Sequence, residues 1–348
     1  MFDHFAPPPP AAAGKLATLL DVTLRDGGFE VDFNWPEEYF AMVAAAVCAA
    51  GTEVAELGYI GGVPLEHSVA RAGVGAYLRP DHIAAARNTG PVLAAMVHPS
   101  ALSAEPDLHA YAAAGLGMVR LVYHPDWLTG ITRLAAHARD LGLQVAINIA
   151  LASRYTGVEI VEHAHAIDVA AGPDLLYLAD TCGALHPGQV GDLVSAVRST
   201  VYAEVGFHAH DFLHLAYANA LAAVEAGATY LDVSLLGLGR GGGNLTAEPL
   251  LLRHRLTEAT YQQTELLRIC RHRLAATTGR PADSLAVAVC ATLNLTPVEE
   301  HALREFAQSE EVDLDRAALW LLTHVREIPA PRVAALRAHW QDRAEQRG

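Results

Sequence analysis

Short apolar runs recur along this chain, separated by longer stretches of Ala, Leu and Val. Eight stand out, at residues 16–24, 54–60, 92–98, 118–124, 144–151, 174–180, 203–210 and 229–237. They are almost continuously apolar instead of alternating with polar residues, as expected of strands covered on both faces. The stretches between them, such as 37–51 and 213–227, have helical character and end in Gly, a common helix stop. Strand and helix in alternation predict a parallel sheet with crossover helices. Eight strands close an α/β (β/α)8 TIM barrel, with a doubly wound open sheet as the alternative.

The periodicity changes near residue 251, where charged, Leu-rich helical sequence begins and continues to Gly348. The expected organisation is a Pro- and Ala-rich leader over 1–15, a barrel over 16–255 and a small helical C-terminal region over 256–348. Polar residues collect where the apolar runs end: Arg25-Asp26, Gly58-Tyr59, His98, Tyr123-His124, Asp180-Thr181-Cys182, His208-Ala-His210 and Arg240. In a barrel those ends share one face, the face on which active sites are built.

Composition narrows the function. A net charge of −15 over 348 residues, with no basic stripe, argues against nucleic acid. The chain lacks the ~18 consecutive apolar residues of a membrane helix, and its start has neither a basic segment nor an apolar secretory core. A cytoplasmic location is the expectation. Four scattered cysteines without a CxxC pair indicate neither a disulfide framework nor a zinc knuckle. Lys15, in the leader, is the only lysine, so a Schiff base inside the barrel is not expected. Electrophilic work in this chain falls to a metal.

The metal donors are visible in the run ending Gly-Phe-His-Ala-His-Asp. His208 and His210 are two apart on a strand, so both imidazoles face one side, a natural clamp. An HxH pair among 18 histidines needs company. The seventh strand neighbours the eighth, and the eighth closes against the first. One arc of the rim can therefore offer His208, His210, the Asp26 carboxylate and the Asn244 amide oxygen to one cation. Such mixed ligation suits Mn²⁺, Mg²⁺, Co²⁺ or Zn²⁺. The glycines before Asn244 are followed by no GK[ST] and form no GxGxxG after the first strand, so a phosphate loop is not indicated.

These segments resemble the DRE-TIM metallolyases, a superfamily that includes the 4-hydroxy-2-oxovalerate aldolase-like (HMGL-like) proteins. The resemblance rests on Asp21-Val-Thr-Leu-Arg-Asp-Gly27, Val54-Ala-Glu-Leu-Gly58, Ala179-Asp-Thr-Cys-Gly183, Gly206-Phe-His-Ala-His-Asp211, the Ala218–Ala228 segment and Gly237–Asn244 with Glu248. It implies Asp26, His208 and His210 as metal ligands with Asn244 as a fourth. It also implies Arg25 steadying the enolate oxygen, Glu56 beside the metal and its water, and Thr181 holding the substrate carboxylate. The implied enzyme is a class II aldolase or carbon–carbon lyase working through the metal-stabilised enolate of a pyruvate-like 2-oxo acid, with an aldehyde-type acceptor.

The chain also departs from the family pattern. In the oxovalerate aldolases an acid/base histidine stands three residues after the metal aspartate, where this chain has Phe29. Candidates to replace it are Tyr59, His98, Tyr123, His124, His186 and His214, all of types that can shuttle protons. The Gly-rich loop lacks the cysteine of the acyl-CoA lyases, and the tail is too short for an isopropylmalate synthase regulatory domain. Two readings stand beside the aldolase: a Claisen-type acyl transferase, and a metal-binding barrel without catalysis. The segment from Asn294 to Glu327 loosely resembles the helical domain through which oxovalerate aldolases contact an aldehyde dehydrogenase, leaving such a partner open. A homodimer or larger assembly is expected.

Overall fold

Each apolar run forms a strand in the computed structural model, which describes residues 16–63, 72–102, 106–254, 261–280, 285–324 and 334–338. The strands are β1 (Thr18–Asp21), β2 (Val54–Ile60), β3 (Val92–Val97), β4 (Met118–Tyr123), β5 (Gln144–Ile149), β6 (Leu175–Asp180), β7 (Glu204–Ala209) and β8 (Tyr230–Val233). They pair in sequence order, all parallel, and β8 returns to β1 through Leu20↔Asp232 and Asp21↔Val233. The barrel is closed, as the count of eight runs predicts, and the open sheet is excluded.

Helices follow the strands: α1 (Glu38–Ala49), α2 (Pro80–Ala86), α3 (Leu108–Ala114), α4 (Leu128–Asp140), α5 (Gly157–Ala171), α6 (Pro187–Arg198), α7 (Ala216–Glu225) and α8 (Ala247–His254). Local chemistry sets their ends. Thr156 caps α5 in a reciprocal pair with Glu159, and Gly172 ends the same helix in the left-handed conformation that a Cβ disfavours.

One face of every strand fills the barrel. Leu20, Val54, Ala94, Met118, Ala146 and Leu175 pack into an apolar layer with Val22 and Tyr177. A charged layer shares that interior, in which Arg120, Glu56, Asp232 and His208 are all buried. In β2 the pairing with β3 shifts between Glu56 and Tyr59. Strict alternation would send Tyr59 outward if Glu56 points inward, and the extra residue reverses that parity. Gly58 allows the shift, since a Cβ there would lie 2.3 Å from the Gly75 carbonyl oxygen.

The chain separates into two compact units. The barrel unit comprises Leu16–Cys48 and Thr52–Ala247. The second includes Ala49–Gly51 and the residues from Glu248 onward, and is helical, with α9 (Tyr261–Thr278), α10 (Leu285–Thr292), α11 (Pro297–Ser309) and α12 (Leu314–His324). Within it Arg271 bridges Glu248 at 2.6 Å and Asp315 at 3.4 Å, all three buried. Among the described residues no helix is long and apolar enough to cross a membrane. Lys15 lies outside the described residues.

Candidate metal centre and cavity

The strand ends bring together donors that are far apart in sequence. Asp26, His208 and His210, all buried, place one ligand atom each within 4.8 Å of one another. Asp26 follows β1 in a tight turn whose amide donates to the Val22 carbonyl at 2.8 Å. His208 and His210 share the inward face of the β7 end, as their spacing predicts.

The hydrogen bonds fix how the imidazoles present themselves. His208 Nδ1 lies 2.9 Å from the Asp232 carboxylate and His210 Nδ1 lies 3.2 Å from the Gly243 carbonyl oxygen. Both acceptors lack protons, so each Nδ1 carries the hydrogen. The two Nε2 atoms, 3.3 Å apart, then turn lone pairs towards one region. Two neutral acceptors facing each other repel unless a cation lies between their lone pairs. Burial pulls the His210 pKa down to about 4, against the attraction of Asp26, keeping the ring in the neutral form that a ligand requires.

Asn244 completes the set. It pairs with His210 in an isolated bridge between β7 and the Gly-rich loop. Its amide nitrogen donates to Asp26 Oδ2 at 2.8 Å, while its buried Oδ1 has no hydrogen-bond partner. A buried amide oxygen without a partner, on a side chain bonded to Asp26, is of a donor type that suits a divalent cation held by Asp26, His208 and His210. The loop is pinned and not slack: Asn244 N–H donates to Gly237, Leu245 N–H to Ala209, and Asp211 N–H to Gly243, each at 3.0 Å. Its glycines are required by close approach. A Cβ at Gly239 would fall 2.4 Å from the Asn244 amide, and one at Gly241 2.4 Å from the Phe212 ring.

Behind the donors runs a buried ionic network. Arg25 Nε donates to Glu56 at 2.7 Å and its Nη1 reaches Asp26 Oδ1 at 2.5 Å. Arg120, fully buried, donates to Glu56 at 2.9 Å and to Asp232 at 2.6 Å, and stacks on Tyr177 at 4.3 Å. Burial works against the charge of both arginines, but the carboxylates outweigh it and raise both pKa values. Burial would also raise the Asp26 carboxyl, yet Arg25 and the two histidines hold it well below the usual carboxylate range. Three carboxyl groups (Asp26, Glu56, Asp232) face two guanidinium groups (Arg25, Arg120), an excess of one that a bound cation offsets.

Asp26, His208 and His210, but not Asn244, line a cavity of about 700 Å³ together with Arg25, Tyr59, Thr181 and Phe29. Arg25 lines the cavity beside Asp26. Burial pushes the Tyr59 phenol up to about 12, with Arg25 pulling the other way. Thr181 Oγ1 accepts from Leu151 N–H at 2.9 Å and donates over a long 3.5 Å to the Ala179 carbonyl oxygen, a weak bond that a substrate oxygen would replace. Glu56, expected beside the metal and its water, does not line the cavity and is bound by Arg25 and Arg120.

His214 is placed elsewhere. Its side chain is 91% exposed, pairs with Asp211 at 3.7 Å and lies off the cavity, because the backbone turns left-handed there after β7. The structure thus does not bring His214, expected as a catalytic group, to the cavity with the other candidates. His186 is likewise exposed, at the start of α6 and outside the cavity, whereas His98, Tyr123 and His124 do line it. Phe29 fills the place of the family histidine with an apolar ring, edge-on to Phe33 at 4.8 Å and under the Arg240 guanidinium at 5.5 Å.

Two further residues are missing from the sequence reading: Asp232, which fixes the His208 tautomer, and Arg120, which holds Asp232 and Glu56. Their signal is a charge in the middle of an otherwise apolar strand, Met118-Val-Arg-Leu-Val-Tyr123 and Tyr230-Leu-Asp-Val233.

A closed parallel barrel with a three-donor candidate metal site at the C-terminal mouth defines the class: a (β/α)8 barrel of metalloenzyme type. Residues 17–273 match the HMGL-like family model. The chain belongs to the HMGL-like family. Curated relatives include 4-hydroxy-2-oxovalerate aldolase 2 of Nocardia farcinica, 32% identical over 68% of each chain. Another is the 4-hydroxy-2-oxovalerate aldolase of Moorella thermoacetica, 34% identical over 67% of this chain and 68% of that one. Among solved structures, the N-terminal domain of a putative aldolase from Bacteroides vulgatus superposes with a TM-score of 0.64 at 24% identity, covering 84% of this chain and 98% of that one. The Bacillus subtilis HMG-CoA lyase gives 0.62 at 19% identity, over 78% and 97%. Both show the shared fold.

Proposed function

We propose that this protein is a divalent-metal aldolase, a carbon–carbon lyase that makes or breaks the bond between a pyruvate-like 2-oxo acid and an aldehyde-type acceptor. The observation that carries this is the convergence of two Nε2 lone pairs and the Asp26 carboxylate beside Arg25 at one end of a cavity, with the Asn244 amide bonded to Asp26. The names of the curated relatives support the same chemistry.

Asp26, His208, His210 and Asn244 would hold the metal, of which Mn²⁺, Mg²⁺, Co²⁺ and Zn²⁺ all suit the donor set. When bound, such a cation supplies Lewis-acid polarisation of the keto group. Arg25, permanently charged and locked by Glu56 and Asp26, donates to the oxygen on which enolate charge develops. Its rigidity matters, since a donor already oriented need not reorganise as charge appears. Thr181 offers its hydroxyl to the substrate carboxylate. In the forward direction C3 of the oxo acid gives up its proton to solvent water in the open cavity and bonds to the acceptor carbonyl carbon. The carbonyl electron pair moves to its oxygen, which takes up a proton, and no redox partner is needed. Tyr59 keeps its proton across the neutral range and can hydrogen-bond that oxygen as the bond forms, in the role that Phe29 cannot fill.

The decisive measurement is exchange of the pyruvate methyl protons with deuterium, which reports enolisation without any acceptor. Exchange with at least one of the four metals, lost on chelation and lost by more than about 1,000-fold in His208→Ala/His210→Ala together with metal content, supports the reading. Full exchange in the chelated enzyme, or in that variant, would overturn it.

A further inference from the structure

The cavity is much larger than the donor substrate. A three-carbon oxo acid fills roughly three water volumes, about 90 Å³, at the metal end of a space of about 700 Å³. One apolar cluster faces much of the remainder, interspersed with polar groups such as His98, His124, Asn148 and Tyr155. Tyr59, Met96 and Val122 belong to it, and Phe29, Trp127 and Ala150 pack on it as partly buried members. All six line the cavity. At the rim the wall continues through Leu151 and Phe212, which are 44% and 51% exposed although large and apolar.

The wall is ordered in advance. Phe29 is held edge-on by Phe33 at 4.8 Å and Tyr59 at 6.4 Å. The Trp127 ring is held by His98 at 5.3 Å and His124 at 5.1 Å. Rings fixed in this way lose little freedom when a ligand packs on them. A short aliphatic aldehyde would leave most of this surface wet, whereas a flat apolar body would cover it.

Resting on the aldolase reading, we infer that the acceptor is an aromatic carbonyl compound, its ring seated on the Phe29–Trp127 wall and its carbonyl directed to the metal end beside Tyr59. The acceptor class is thereby separated from the small aldehydes that a space of two or three heavy atoms would select. Trp127 is a specificity-determining residue in this scheme. It lies on the turn after β4, across the mouth from the β7 ligands.

The test compares benzaldehyde with acetaldehyde as acceptors for pyruvate in the Mn²⁺-loaded enzyme, and titrates benzyl alcohol by calorimetry, which needs no turnover. The expected kcat/KM ratio favours benzaldehyde by about 100-fold, the scale on which apolar pockets discriminate. Trp127→Ala should bring the ratio towards one and weaken benzyl alcohol binding at least tenfold, while Trp127→Phe retains both. Equal or better use of acetaldehyde, with pyruvate exchange intact, overturns this inference and leaves the aldolase reading standing. Absence of exchange with every metal overturns the aldolase reading instead, and the titration still decides the subsite: no saturable binding, or binding indifferent to Trp127→Ala, rules it out.

Discussion

The two sides of the barrel mouth are built on opposite principles. The arc at the ends of β7, β8 and β1 is polar, buried and bound into one network that passes beneath the mouth through Glu56 of β2 and Arg120 of β4, from Asn244 through Asp26, Arg25, Glu56, Arg120 and Asp232 to His208. The wall formed over β2 to β5 is largely apolar with imidazoles and the Asn148 amide set into it, partly open and held by ring contacts. The first has its geometry dictated bond by bond and suits a step that tolerates no displacement. The second offers a surface of stated shape and little directionality, which suits selection of a partner molecule. The same scaffold thus separates where chemistry is done from where a substrate is chosen, and each side can be broken independently.

The largest effect is expected at Arg120, the ion on which both inner carboxylates depend. Replacing it with Leu leaves Glu56 and Asp232 buried without their shared cation. The loss should be about 3–5 kcal/mol of stability, measured by urea denaturation of the metal-free protein. A loss below about 1 kcal/mol would mean that the arc is not a coupled network.

Asp232→Asn sharpens the comparison further. An amide can donate to His208 Nδ1, which moves the ring proton to Nε2 and removes the lone pair the metal needs. The outer partners of a ligating histidine are worth about 10–100-fold in metal affinity, so Mn²⁺ binding measured by competition with a chelator should weaken by that factor. The acceptor side should not feel the change, and benzyl alcohol binding to the metal-free variant should match that of the parent. If both sides weaken together, the separation between them is wrong.

Legibility in the sequence follows the same divide. All eight strands are readable, because a strand buried on both faces must be apolar throughout, and Val54–Ile60 matches its predicted run end to end. The donors are readable too, because His208-Ala-His210 and Arg25-Asp26 are contiguous motifs at strand ends. The ionic network behind them is not. Arg120, Asp232 and Glu56 lie in three different strands, and their contact depends on barrel closure bringing together residues 64 and 112 positions apart. The apolar wall is equally hidden, since Met96, Val122 and Ala150 look like any core residues until the cavity exposes them. Phe29 reads as a missing histidine in the sequence and as part of a wall in the structure. Parity is the subtler obstacle: Tyr59 reaches the cavity only because the Gly58 bulge shifts the register of β2, and no hydrophobic pattern announces a bulge.

The smallest predicted effect concerns the residue on which sequence and structure differ. His214 lies four residues beyond the candidate ligand His210 in the chain, and proximity of that kind makes it an attractive proton shuttle. The backbone left-handed turn at His214 instead sends its imidazole into solvent, 91% exposed and 3.7 Å from Asp211, off the cavity. An exposed pair of this sort contributes about 0–1 kcal/mol, screened by salt. His214→Ala should change pyruvate exchange and the benzaldehyde ratio by less than about twofold, with stability within about 0.5 kcal/mol of the parent. A drop of tenfold or more in exchange would place His214 back at the site. It would require the segment after β7 to fold inward during turnover, carrying Phe212 with it, and the apolar rim would then belong to the chemistry as much as to selection.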